Sequence, residues 1–322
     1  MLDGMKIVGA FGSALARQRR GGGSAAFWCM LAAATVACAA CTSPGSVPVP
    51  VPGVRSVTSA SPASNLHEPG YLALGDSIAF GYRPSPVTPA GDYRHPADFI
   101  GYPEDIARTL GLDLVNASCP GETTASMIEE AAPSNGCETN ARGAPGYRSF
   151  EPLHVSYAGS QLGYAVRYLR LHPDTQLVTI DIGVNDLLRC QGTTSDHCAG
   201  PDFGRTLAEV TQNLNTILGG LRNRARYRHA LVVLTYYALS YGDRVATGRT
   251  GALNAALAQA AGRYGARVAD GFGAFRSASA RDDGNTCAAG LRIRLPGGGC
   301  DLHPTAYGQQ ILARAVEAAI GR

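Results

Sequence analysis

Four short blocks of this chain hold side chains able to do acyl chemistry: Gly75-Asp76-Ser77-Ile78, Asn116 to Thr124, Gly183-Val184-Asn185-Asp186 and Cys300-Asp301-Leu302-His303-Pro304. A serine hydroxyl becomes a useful nucleophile only when a base within hydrogen-bond reach takes its proton during attack. Ser77 is the candidate nucleophile and His303 the candidate base. The negative oxygen that forms next needs donors already in place, and the amide of Asn185 is one such donor. Gly121, inside the second block, lets a backbone N–H approach a substrate with no side chain in the way.

Each block is ordinary by itself. A Gly-Asp-Ser triplet is usually a turn or a helix cap, a loop glycine needs no ligand, and a lone histidine beside a helix is commonly a surface residue. The G-x-S-x-G elbow is absent, because Ala79 stands where its last glycine would be. What gives the blocks weight is the set of elements that must position them. Short apolar runs over 71–74, 112–116, 177–182, 230–236 and 267–270 read as strands of a buried parallel sheet. Helical patterns over 103–110, 124–131, 159–171, 203–226, 250–264 and 305–320 alternate with them. In the longest, Leu207, Val210, Leu214, Ile217, Leu218 and Leu221 make one apolar stripe. Strands alternating with helices predict a three-layer α/β/α sandwich, in which ligands collect at the carboxyl ends of the strands. The first three blocks fall at such ends, and His303 falls at the entrance of the last helix, whose first turn Pro304 can occupy.

In this order the four blocks resemble the SGNH or GDSL hydrolase family, over the span from Tyr71 to the C-terminus. The resemblance implies Ser77 as nucleophile and His303 as general base. It also implies an oxyanion hole made of Gly121, Asn185 and the backbone N–H of Ser77. The implied fold is a flavodoxin-like parallel five-stranded sheet of order 2-1-3-4-5, and the implied chemistry needs no cofactor and no metal. One position departs from the family pattern. The acid normally stands three residues before the histidine, where this chain has Cys300, and the aspartate is Asp301, two residues before. Residues two apart in an extended segment point to the same side, so Asp301 can reach the imidazole. The other reading is a Ser-His dyad with the ring oriented by a backbone carbonyl near Cys300.

Nine cysteines divide into Cys29, Cys38 and Cys41 near the N-terminus and six in the remainder. With no CxxC among the six, structural disulfides in an oxidising compartment are favoured over zinc or thioredoxin-type chemistry. Six cysteines allow fifteen connectivities. The resemblance to secreted actinobacterial lipases of this family implies sequential pairing: Cys119 with Cys137, Cys190 with Cys198, and Cys287 with Cys300. Each bridge would then close a loop beside one of the last three blocks.

The 322 residues carry 28 basic and 25 acidic side chains, a formal net charge of +3. Lys6, Arg17, Arg19, Arg20 and the single acid Asp3 account for the excess, and from Thr42 onward 24 arginines face 24 carboxylates. That balance argues against nucleic-acid binding. The basic stretch runs through a glycine spacer into the uncharged apolar run from Ala25 to Ala40, too short to span a bilayer, which is the pattern of a signal peptide. Cys38-Ala39-Ala40-Cys41 resembles a lipobox, with Cys41 the lipidated residue and Cys38 in the place of its usual aliphatic residue. Residues 42–69, rich in Pro, Ser and Val, read as an extended tether. The expected organisation is therefore an export segment over 1–41, a tether over 42–69 and a catalytic domain over 70–322.

The expected activity is that of a secreted or lipid-anchored serine esterase or lipase. Its substrate would be a small-molecule, lipid or glycan ester, and membrane contact would come only through the N-terminal anchor of a monomer. A carbohydrate O-acetyl esterase would use the same residues, and an inactive envelope-binding lipoprotein is the reading from another class. The long inserts over 82–102, 133–157, 190–203 and 276–300 are expected to shape the acyl pocket. His67, His95, His154, His172, His197 and His229 read as structural or surface residues, and Asn116-Ala117-Ser118 as a chance glycosylation sequon.

Overall fold

Runs of Leu, Val and Ile bounded by turn residues become strands here because a pleated sheet can bury such runs on both faces. The computed structural model describes residues 69–85, 87 and 91–322. In chain order the first half holds β1 Gly70–Gly75, α1 Ser77–Phe80, α2 Tyr102–Leu110, β2 Asp113–Asn116, α3 Thr124–Ile128, α4 Gln161–Leu171 and β3 Leu177–Asp181. There follow α5 Val184–Thr193, α6 Pro201–Gly219, β4 Ala230–Leu234, α7 Arg244–Arg263, β5 Arg267–Ala269, α8 Gly271–Ala278, β6 Arg292–Arg294, β7 Cys300–Pro304 and α9 Ala306–Ile320.

Strands β1 to β5 form one all-parallel sheet in the order β2-β1-β3-β4-β5. Helices α2 and α9 pack together on one side of it, and α4, α6 and α7 lie on the other. This is the expected α/β/α sandwich with the flavodoxin-like order, whose switch point lies between β1 and β3. Strand β3 is buried at every position. Among the described residues the core cluster runs from Tyr71 to Val316 and joins the sheet to the helices on both of its faces.

Several elements differ from expectation. Helix α7 starts at Arg244 rather than Thr250, because the Asp243 carboxylate accepts from the N–H groups of Val245 and Ala246, 3.0 Å each. Helix α6 gives way to a π-helical turn at Gly220–Arg224, which ends the long helical run. Helices α1, α5 and α8 and the antiparallel pair β6 and β7 carry too little periodicity to be read from the sequence. The placing of His303 is corrected: His303 and Pro304 belong to β7, and α9 begins only at Ala306. Thr305 takes the cap position because its hydroxyl accepts from the Gly308 N–H at 3.1 Å, which proline could not do.

The expected export segment over 1–41 with Cys41, the tether up to residue 68, and His67 lie outside the described residues. Among the described residues no helix is long and apolar enough to cross a membrane.

Candidate active site

Strand β1 stops at Gly75, whose φ of +143° a side chain would strain. A Cβ there would also lie 2.4 Å from the carbonyl oxygen of Asp181. The glycine turns the chain so that Asp76 caps α1, its Oδ1 accepting from the Ile78 N–H at 2.9 Å. Ser77 is thus the first residue of a one-turn helix, and it is buried. The cap reading of this triplet therefore holds, with Asp76 as the cap, and it sets the candidate nucleophile at the head of the helix. The other oxygen of Asp76 accepts from the Tyr236 hydroxyl at 2.5 Å. Burial pushes the Asp76 carboxyl up, opposed by hydrogen bonds from Ile78, Tyr236 and Asp181. Asp181 at the end of β3 is pushed much further, first by burial and then by the Asp76 charge. Burial and the Asp76 charge thus favour the protonated form of Asp181, which can donate to Asp76, while its Oδ1 accepts from the Tyr102 hydroxyl at 2.8 Å.

On β7, Asp301 and His303 point to one side of the strand. The Asp301 Oδ1 accepts from the His303 backbone N–H at 3.0 Å and from its Nδ1. The opposite ring nitrogen, Nε2, is buried and makes no hydrogen bond. Burial would raise the Asp301 carboxyl, but the hydrogen bond and charge of His303, with Arg292 behind them, hold it below its ordinary value. The strand is pinned from the sheet side, where the Tyr237 hydroxyl donates to the Leu302 carbonyl at 2.6 Å. Arg292 Nη1 donates to the Asp301 carbonyl at 3.1 Å. The Tyr82 ring leans on the imidazole, centroids 4.9 Å apart. Tyr93, Phe99 and Tyr147 pack around Tyr82, so the inserts over 82–102 and 133–157 together make an aromatic wall beside His303.

Asn185 is buried in the first turn of α5. Its Oδ1 accepts from the Asn135 amide at 3.0 Å, which leaves its own Nδ2 buried and without a partner. The next residue, Asp186, takes the N–H and hydroxyl of Thr124, at 3.0 and 2.6 Å, and so ties the third block to the second. Gly121 has a φ of +83°, and a Cβ there would lie 2.4 Å from Gly136 Cα. Packing of one loop on another, more than open space for a substrate, therefore demands glycine at this position.

Among the described residues, disulfides pair Cys119–Cys137, Cys190–Cys198 and Cys287–Cys300, as the resemblance implies. The first brackets Gly121 and holds its loop against the segment with Gly136. Glu122 sits beside both sulfurs, but a disulfide is no metal ligand, so this cluster holds no ion. The Asn116 amide of the sequon is buried and committed to the Ala79 carbonyl and to Glu104, at 2.9 and 2.8 Å. His154 Nε2 lies 3.1 Å from the Phe80 carbonyl, in keeping with a structural histidine.

Sequence reasoning missed Tyr236, Tyr237, Asp181, Gln161 and Asn135. The tyrosine pair had a signal, since it follows β4 directly and strand ends are where ligands and their supports collect. Asp181 also ends a strand. Gln161 and Asn135 had none, because they act through partners distant in the chain.

The family model for GDSL-like lipases and acylhydrolases matches residues 73–311. No curated protein matches the sequence. Among solved structures, an acetylxylan esterase from Geobacillus stearothermophilus is 18% identical, over 79% of this chain and 97% of that one, with a TM-score of 0.47. A lipase from a goat rumen metagenome is 15% identical, over 78% of this chain and 96% of that one, with a TM-score of 0.49. The family match spans most of the layered unit and all four blocks, and the chain belongs to the GDSL-like lipase/acylhydrolase family of carboxylic ester hydrolases.

Proposed function

We propose that this ester hydrolase works through Ser77, His303 and Asp301, with the N–H groups of Ser77 and Gly121 and the Asn185 amide as the oxyanion hole. The observation that carries the reading is a pair of buried polar atoms left without partners, His303 Nε2 and Asn185 Nδ2. Burying such atoms unsatisfied is costly, and a reacting serine and an oxyanion are partners that would repay the cost. Because Asp301 binds Nδ1, the imidazole carries its proton there and presents a lone pair at Nε2.

In the first half-reaction Ser77 Oγ attacks the ester carbonyl carbon as His303 Nε2 takes the hydroxyl proton. The carbonyl oxygen gains the negative charge and is held by the three donors. Collapse of the intermediate breaks the bond to the alcohol, which leaves with the proton from Nε2, and an acyl-Ser77 remains. Water then attacks the acyl carbon, giving its proton to Nε2, and collapse returns that proton to Ser77 as the carboxylic acid departs. Throughout, Asp301 stays ionised and stabilises the imidazolium. We further read the domain as exported and held at the outer face of the membrane through Cys41. Supporting this are the signal-peptide pattern before Cys41 and three disulfides, which persist in oxidising compartments.

A fluorophosphonate probe tests the assignment directly. It should label the wild type at Ser77 and leave Ser77→Ala unlabelled; an unlabelled wild type would favour a binding protein on this scaffold. A panel of p-nitrophenyl esters of rising acyl length, with acetylated xylan beside it, reads the substrate class.

A further inference from the structure

From Thr42 onward the charges balance in number, but they do not balance in space. In a parallel sheet every strand starts at the same edge, so the segments just before β3, β4 and β5 lie together, opposite the edge that carries Ser77, Gly121 and Asn185. Those segments, with the last turns of α4 and α7 and the first residue of β5, hold Arg170, Arg222, Arg224, Arg226, Arg228, Arg263 and Arg267. The run Arg222-Asn223-Arg224-Ala225-Arg226-Tyr227-Arg228-His229 alternates in burial: Ala225 and Tyr227 are buried, while Arg224, Arg226 and Arg228 are exposed. The turn is held from within. The Arg222 guanidinium donates to the carbonyls of Tyr227, His229, Tyr264 and Gly265, which joins the approach to β4 to the end of α7. Arg170 donates to the Arg224 carbonyl at 2.9 and 2.7 Å, which joins the end of α4 to the same turn. Arg222, Asn223, Arg228, Arg263, Tyr264 and Gly265 line a cleft at this edge.

None of these seven arginines makes an ion pair among the described residues. Asp113, at the start of β2, and Asp174, before β3, come near Tyr168 of α4. Beside Arg170 stands Leu171, the most exposed large apolar side chain of the described surface at 77%. The described chain starts at this edge: β1 begins at Gly70, whose carbonyl accepts from the Gln176 N–H at 2.8 Å.

We propose that this arginine-rich edge docks on an anionic phospholipid surface, with Leu171 entering the headgroup layer and the catalytic edge turned outward. Exposed guanidinium groups bind phosphate oxygens readily, and a juxtamembrane cluster of them is drawn to anionic lipid. The surface adds a second, electrostatic contact to the N-terminal anchor expected from the sequence. A chain exported and held through Cys41 would present this edge to the bilayer, because β1 starts there. The orientation part of the inference rests on that export reading, but vesicle binding by the domain is measured without it.

The test uses the chain from Thr42, which keeps the tether and contains no tryptophan, since the one tryptophan is Trp28. Sedimentation with phosphatidylglycerol/phosphatidylcholine vesicles should pull the protein down, pure phosphatidylcholine should not, and 0.5 M salt should release it. The variant R224Q/R226Q/R228Q/R263Q should bind at least about a hundredfold more weakly, with hydrolysis of soluble p-nitrophenyl acetate unchanged. Leu171→Trp should shift its emission to the blue on anionic vesicles, and Tyr307→Trp, beside β7, should not. Equal binding to both vesicle types, unchanged binding by the quadruple variant, or a shift at Tyr307→Trp alone would overturn the proposal. So would complete release by an RNA competitor at matched phosphate concentration, which would assign the edge to a soluble polyanion instead.

Discussion

The side chain of Gln161 closes a ring on the backbone of Gly75: its Oε1 accepts from the Gly75 N–H at 2.6 Å and its Nε2 donates to the Gly75 carbonyl at 3.0 Å. The same Nε2 donates to Glu122 at 3.0 Å. Gly75 leads into Ser77 and Glu122 follows Gly121, so one buried amide sets the spacing of two backbone donors of the proposed oxyanion hole. Burial, and then the Glu138 charge, push the Glu122 carboxyl well up where it sits beside the Cys119–Cys137 disulfide.

Replacing Gln161 with Leu should therefore lower kcat by about ten- to a hundredfold while KM on a short p-nitrophenyl ester changes little. Small misplacements of donors weaken transition-state contacts more than ground-state binding. Steady-state kinetics, with circular dichroism to verify folding, provide the check.

The Asp301 carboxylate binds the imidazole at Nδ1, in the role that orients the tautomer in serine-protease triads, where its loss costs about ten-thousandfold. Asp301→Ala should accordingly lose at least about a hundredfold in kcat at neutral pH. If the variant kept nearly full turnover on a p-nitrophenyl ester, a Ser-His dyad would be the working machinery.

Asn135 orients the Asn185 amide at 3.0 Å and touches the proposed oxyanion only through it. Asn185→Ala should cost about a hundred- to a thousandfold in kcat, the usual range for one lost oxyanion donor. Asn135→Ala should cost less, and the double variant should resemble Asn185→Ala alone. Additive losses in this cycle would separate the two roles.

A protonated Asp181 can be imitated by asparagine, which would accept from Tyr102 with its oxygen and donate to Asp76 with its nitrogen. Asp181→Asn should keep activity and thermal midpoint close to wild type. Asp181→Ala should lose both, since it leaves Asp76 with one fewer donor in a fully buried site. Differential scanning fluorimetry with an activity assay distinguishes them.

Burial pushes Asp186 up to about 6 and Glu104 up to about 7, in each case against the pull of its own hydrogen bonds. A carboxyl raised above its unfolded value binds its proton more tightly when folded, so its stabilising effect is complete below pH 4 and is lost as pH rises through the folded value. Stability should fall between about pH 4 and 7, by up to about 3 kcal/mol for each group. Urea unfolding across that range should show a steeper decline for the wild type than for Asp186→Asn or Glu104→Gln.

What the sequence determined by itself is whatever short stretches of chain encode locally. Apolar runs and their periods specify the parallel sheet and its main helices, and the four blocks name Ser77, Gly121, Asn185 and His303 in advance. The relation of Asp301 to His303 was legible only in part: residues two apart in an extended segment share a face, but nothing local marks 300–304 as a strand, so a Ser-His dyad stayed open until the structure showed β7. Tertiary structure decided the supports: Gln161 reaches Gly75 across 86 positions, and Tyr236 reaches Asp76 across 160. It also decided the charge distribution, since a count of 24 against 24 cannot show that one sheet edge gathers seven arginines. The reason is physical. Periodicity and capping act over a few residues and leave a trace in the local pattern, whereas a buried hydrogen bond or a charged edge exists only once the sheet order has brought distant strand ends together.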